Sequence, residues 1–269
     1  MLIFEQLIDL ICQKRKEVRV NNNSSDKAEF LPKIYYIGDG KSGSSSIMNG
    51  FRSENVAHWH GVAYFEWVFN TTLLSENNYD LYDLIFYIGN KYNFKPTIIE
   101  TIRNPINLEI SRIFQHIKTS RGHGEDCKEC SIKSKKDINS MNAIIKEIIQ
   151  SMAPKQKPYS IEMYKKHFNI DLLEDFDMEK NFYFNETEKC NLMLLKFECI
   201  KEWEKLINEL LPFHFELTHS NKTPYAAYDI VKETLKFTEE EFNALLTKNH
   251  RTFYSEKEIE SLRNNFMIN

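Results

Sequence analysis

The run Ile34-Tyr35-Tyr36-Ile37-Gly38-Asp39-Gly40-Lys41-Ser42-Gly43-Ser44-Ser45-Ser46 decides the fold. Its four leading apolar residues predict a buried strand, and the Gly/Ser run after them predicts a loop that turns into a helix. In that order, backbone N–H groups and the positive end of the helix dipole converge on one spot, which suits an anionic phosphate. The expected class is therefore α/β, with a central, mainly parallel sheet flanked by helices.

The loop's lysine narrows the phosphate chemistry. Gly38 and Gly43 have the separation of the two glycines in a Walker A loop, but Ser44-Ser45 stand where Lys-Ser/Thr is required. Lys41 sits inside the loop instead, where it can reach the 5' side of a bound nucleotide, while Ser44, Ser45 and Ser46 offer hydroxyls and amides to the same group. Taken alone, a Gly/Ser loop with one lysine also reads as a solvated turn.

A second segment adds to the first. Thr97-Ile98-Ile99-Glu100-Thr101-Ile102 predicts a buried strand, followed by Arg103-Asn104-Pro105 and, eight residues after Arg103, by Ser111. A guanidinium is a planar, permanently charged fork for phosphate, and a hydroxyl on the next helix can fix its orientation. Asn104 reads as an N-cap with Pro105 at the first helical position. The plain reading of Arg103 is a surface salt bridge.

Together these segments resemble the sulfotransferase superfamily. The order Lys41-Ser42-Gly43-Ser44-Ser45 is similar to its 5'-phosphosulfate loop, and Arg103 with Ser111 is similar in type and spacing to its 3'-phosphate pair. The stretch Arg103 to His116 resembles bacterial capsular-polysaccharide synthesis proteins of that superfamily, with Asn104 in place of their Asp. Cys190 to Glu198, followed by a helix around Trp203 to Leu211, looks like a later strand and helix of the family, matching by residue only at Glu198. Arg251 to Ile259 looks like the family's closing segment, in which Ser255 and Glu258 form a capping box.

The resemblance implies a P-loop NTPase-like sulfotransferase fold over 1–269, with an N-terminal helix and connector at 1–30 and a helical insertion at 122–184. It implies 3'-phosphoadenosine 5'-phosphosulfate as donor and adenosine 3',5'-bisphosphate as product, with no metal required. Lys41, Ser42, Gly43, Ser44, Ser45 and Ser46 would hold the 5' side, and Arg103 and Ser111 the 3'-phosphate. The acceptor would be a hydroxyl of a glycan, such as a capsular polysaccharide, or of another small molecule.

Sulfuryl transfer needs a base for the acceptor hydroxyl, and histidine suits that near neutral pH. Asn55-Val56-Ala57-His58-Trp59-His60 reads as the second strand, whose C-terminal end adjoins the loop, as sites in open α/β sheets do. His60, at the strand exit, is the first choice for the base and acts with Lys41 as a catalytic group; His58 is second and Glu66 third. Both histidines also suit hydrogen-bonding roles in the core. Trp59, Tyr64, Phe65 and the 122–184 insertion are expected to line the acceptor pocket.

Two other classes stay open: a P-loop kinase or phosphotransferase using ATP, and a non-catalytic protein that binds a nucleotide or glycan. The absent Walker lysine, and the lack of an obvious magnesium-binding Asp after a strand, count against the first.

Composition bounds the rest. The 269-residue chain is 42% hydrophobic and carries a net charge of −4, so it offers no broad basic face for nucleic acid. Met1 to Cys12 reads as an amphipathic helix that packs on its own domain, with peripheral membrane contact as the alternative, and not as a signal peptide. No apolar run approaches the roughly 20 residues that span a bilayer. Asn21 to Asp26 reads as a connector. The five cysteines are expected to be reduced thiols in the cytoplasm, with Cys12, Cys190 and Cys199 in the core. His123, Cys127 and Cys130 have the spacing of a partial zinc knuckle, but a second Cys-x-x-Cys is missing, so a plain loop is expected there ahead of a structural zinc site or a reversible disulfide.

Overall fold

A computed structural model describes residues 2–18, 27–38, 42–51, 56–59, 74, 76–120, 135–155, 160–218 and 226–268. These fall into two compact units: 1–102, 159–170 and 182–220 form the first, and 103–158, 171–181 and 221–269 the second.

The first unit is built on a five-stranded sheet. Its strands are β1 (Ile34–Ile37), β2 (Val56–Trp59), β3 (Thr97–Ile102), β4 (Phe182–Glu186) and β5 (Asn191–Lys196), in the order β2-β1-β3-β5-β4. The first four in that order run parallel, and β4 closes one edge antiparallel to β5. Strands β1, β3 and β5 are buried along their whole length, so they show no alternation of inward and outward residues, and β3 and β5 bury polar side chains among the apolar ones.

One sheet face carries a buried apolar cluster. Ile34, Tyr36, Ile99, Met193 and Leu195 pack with Ile47 of the helix α2 (Ser44–Gly50), Phe51 just after it, Trp203 and Ile207 of α8 (Trp203–Leu210), and Phe215 in the segment after α8. Gly50 is required there, because a Cβ would lie 2.1 Å from the Phe215 ring.

Helix α1 (Leu2–Val18) buries Phe4, Leu7, Ile8, Ile11 and Cys12, the spacing of a single helical face. That stripe packs within its own unit, where Glu5 accepts from Tyr87 and Lys91 of α3 (Leu81–Lys91). Asp80 caps α3 through a capping box with Asp83.

The second unit is helical: α4 (Pro105–Ser120), α5 (Lys135–Met152), α7 (Leu172–Asp175), α9 (Ala226–Thr234), α10 (Glu239–Leu245), α11 (Lys248–Thr252) and α12 (Glu256–Phe266). Asn104 Oδ1 accepts from Asn107 N at 2.9 Å and starts α4 with Pro105 at its first position. Ser255 and Glu258 form the expected capping box on α12. Helix α6 (Ser160–Phe168) belongs to the first unit.

Of the cysteines expected in the core, Cys12 and Cys190 are buried and Cys199 is only half-buried. Cys199 follows β5 in the 3-10 segment Phe197–Glu202, where its backbone leaves helical geometry, so neither sheet nor helix periodicity carries it inward.

Candidate functional site

The strand order places the loop after β1. From β1 the chain moves outward to β2, then crosses back past β1 to β3, so the order reverses between β1 and β3. In open α/β sheets, ligands bind outside the C-terminal ends of the strands at such a reversal. The residues leaving β1 begin at Gly38, and Arg103 is the residue that follows β3.

The loop is held tightly where it is described. A Cβ on Gly38 would lie 2.7 Å from Tyr36 Oη and 3.4 Å from Thr101 Oγ1. Gly43 has φ of 103°, a left-handed conformation, and its Cβ would lie 2.4 Å from Trp203 Cη2. Glycine is thus required there twice over, by backbone sterics and by packing. The Gly43 carbonyl accepts the first bond of α2, from Ile47 N at 3.1 Å. Ser42, Ser44 and Ser46 are buried and Ser45 is half-buried.

Beneath the loop lies a feature that the sequence did not reveal. Tyr36 of β1, Thr101 of β3 and Ser42 join their hydroxyls in a buried triangle. The signal for it was a tyrosine and a threonine inside two apolar strand runs, polar groups that need partners when buried.

The other expected residues divide. Arg103 is half-buried, with Nη2 donating to Tyr228 Oη at 3.5 Å, a long bond. Ser111 is buried in α4, and one residue beyond it Arg112 pairs with the buried Glu109 at 2.5 Å. His58 lies in β2, in register with Tyr36. Lys41, His60, Tyr64, Phe65 and Glu66, and the trio His123, Cys127 and Cys130, lie outside the described residues, as does Asn21 to Asp26.

Buried ionisable groups sit on the central strands. Glu100 of β3 and Lys196 at the end of β5 are 2% and 0% exposed, so both are taken out of bulk water by the sheet. Burial raises the Tyr164 phenol well above its ordinary range, and the nearby Glu100 carboxylate adds to the rise. At Cys190, burial pushes the thiol up to about 11 against a hydrogen bond with Thr187, which makes it a packing group and not a nucleophile.

Asp80, Asp83 and His167 gather ligand-type atoms within 4.8 Å of one another. Their donors and acceptors are already matched. Asp80 Oδ1 accepts the amides of Tyr82 and Asp83, while Oδ2 meets His167 Nε2 at 2.8 Å and Lys166 Nζ at 2.6 Å. With both carboxylate oxygens of Asp80 engaged in this way, the cluster acts as a helix cap tied to α6.

Fold and site together define an α/β protein with a mostly parallel five-stranded sheet and a glycine-bounded loop at its topological switch point. No protein-family model matches the chain, and neither a curated protein nor a solved structure is significantly similar to it. Among the described residues, no helix is long and apolar enough to cross a membrane.

Proposed function

We propose that the protein is a sulfotransferase that moves a sulfuryl group from 3'-phosphoadenosine 5'-phosphosulfate to a hydroxyl of a glycan or another small acceptor. The observation that carries this reading is the loop 38–46. It leaves a central strand at the reversal point, has two glycines that tolerate no side chain, and has the residue order of a phosphosulfate loop. Arg103 supports it, because it is the first residue after β3, the strand on the other side of the reversal.

The roles follow from charge and hydrogen bonding. Lys41 and the loop amides neutralise the 5'-phosphate that departs, and Ser44, Ser45 and Ser46 orient it. Arg103 and Ser111 recognise the 3'-phosphate, which separates this donor from ATP. The acceptor oxygen attacks sulfur in line as the bond from sulfur to the bridging oxygen breaks, the leaving bisphosphate takes the electron pair, and the acceptor's proton passes to His60 or His58. The donor supplies only the activated sulfuryl group. We place the protein in the cytoplasm, where this donor and reduced thiols coexist.

The test is thermal stabilisation by adenosine 3',5'-bisphosphate compared with ADP and with ATP and Mg²⁺. The bisphosphate is expected to raise Tm the most. Equal responses to all three reject the assignment. Sulfate transfer to candidate glycans that persists in His60→Ala removes His60 as the base.

A further inference from the structure

Ser42 belongs to the loop read as holding the 5' side, but its side chain has other partners. Tyr36 Oη lies 2.9 Å from Ser42 Oγ, Thr101 Oγ1 donates to Ser42 Oγ at 2.9 Å, and Tyr36 Oη also hydrogen-bonds Thr101 Oγ1. Tyr36, Thr101 and Ser42 are 0%, 4% and 1% exposed. We infer that this hydroxyl triangle is the anchor that fixes the anion-binding loop, so that Tyr36, Thr101 and the Ser42 side chain are positioning groups and not contacts to the bound nucleotide. The inference rests on the nucleotide-binding reading of the loop.

The geometry follows from the sheet register. Tyr36 pairs with Ile99, so Thr101 lies two residues farther toward the C-terminal edge, and the tyrosine side chain spans that step to bring its hydroxyl beneath the loop. Two corners of the triangle therefore belong to the strands that flank the switch point, and the third belongs to the loop. A hydrogen bond lost from a buried hydroxyl is costly, so moving Ser42 would take one bond from Tyr36 and one from Thr101.

The glycines complete the clamp. Gly38 passes so close to the triangle that a methyl group would displace Tyr36 Oη, and Gly43, next to Ser42, is pressed against Trp203. Ser42 is thus fixed from both sides. A loop end held this way before the ligand arrives loses less freedom when it binds, which strengthens affinity without a direct contact.

A merely structural triangle and an anchoring one give different results. Tyr36→Phe, Thr101→Val and Ser42→Ala each remove one corner with little change in volume, and Ser45→Ala serves as a contact variant. Adenosine 3',5'-bisphosphate affinity is measured by calorimetry, and amide exchange of residues 44–47 is measured in the ligand-free protein. Each corner variant is expected to weaken binding about 3- to 10-fold, the scale of one buried hydrogen bond, and to speed loop exchange. The Tyr36→Phe, Ser42→Ala double variant is expected to be no weaker than the worse single, because both release the same anchor, whereas Ser45→Ala multiplies with either.

Unchanged affinity and exchange in the corner variants, or a multiplicative double variant, overturns the anchor. If the wild-type protein does not bind the bisphosphate, the nucleotide reading fails, and the exchange measurement alone decides the anchor: unchanged exchange rejects it. Should one variant fail to fold, the other two corners provide the same comparison.

Discussion

Trp203 closes directly over Gly43. The indole Nε1 donates to the Lys196 carbonyl at 3.0 Å, which ties the ring to the end of β5 and leaves its far edge 2.4 Å from where a Gly43 Cβ would stand. One aromatic residue therefore links the β5 strand end, the helix α8 that it begins, and the turn into α2. The described end of the loop, at Gly43, is thus fitted to the core beneath it.

That contact sets the first prediction. Gly43→Ala places a methyl group into the Trp203 ring and forces a side chain onto φ of 103°, so it is expected to destabilise by about 2–4 kcal/mol. Chemical denaturation measures it. Adding Trp203→Phe to Gly43→Ala is expected to relieve the packing conflict but not the backbone strain, so the double variant recovers only part of the loss caused by the alanine.

Much of this architecture was legible from short stretches, because its causes are local. Apolar runs gave β1 and β3, Asn104 before Pro105 gave the start of α4, and Ser255 with Glu258 gave the start of α12. What escaped depends on residues far apart in the chain. Ser42 and Thr101 are 59 positions apart, and no local period joins them to Tyr36. The edge strand β4 escaped for another reason: its Phe182-Tyr183-Phe184 run is half-buried on both sides and follows a helical stretch, so it carries no clean alternation. Cys199 was misjudged because the apolar pattern of β5 does not continue into the 3-10 segment after it.

Helix starts offer a second prediction. Asn104→Ala removes the acceptor for Asn107 N, and Ser255→Ala removes the acceptor for Glu258 N and breaks the reciprocal bond pattern of the box. Each is expected to cost about 1 kcal/mol, the usual value of an N-cap, read as a shift in the denaturation midpoint. The two caps begin different helices, so their effects are expected to add.

Arg103 supplies a third. On the proposed reading its guanidinium meets the 3'-phosphate, so Arg103→Ala is expected to weaken adenosine 3',5'-bisphosphate binding about 10- to 100-fold, the range of a charge-assisted hydrogen bond. Binding of adenosine 5'-monophosphate is expected to change little, because that ligand has no 3'-phosphate. Calorimetry with both nucleotides separates the outcomes: equal losses assign Arg103 to general folding or to the 5' side. Its 3.5 Å bond with Tyr228 is long enough to yield to a stronger partner.

The last prediction concerns acid. Burial opposes ionisation of Asp80, but hydrogen bonds from His167 and Lys166 and from the Asp83 amide outweigh it and hold the carboxyl at about 2, below the ordinary 3.8. A lowered folded value means that the unfolded chain takes up the proton first as pH falls. The contribution is therefore fully present above about pH 4 and is lost between there and about pH 2, amounting to about 2 kcal/mol for this 14%-exposed side chain. Asp80→Asn keeps an oxygen for the Tyr82 and Asp83 amides but removes the charge that pairs with Lys166 and His167. Its stability is expected to fall less steeply between pH 4 and pH 2 than that of the wild-type protein, while Asp80→Ala loses the cap as well and is less stable at every pH. Urea midpoints measured across that range check the difference in slope, and parallel curves for wild type and Asp80→Asn would assign the acid sensitivity to other carboxylates, with Glu241, held at about 2 beside Lys146, the next to substitute.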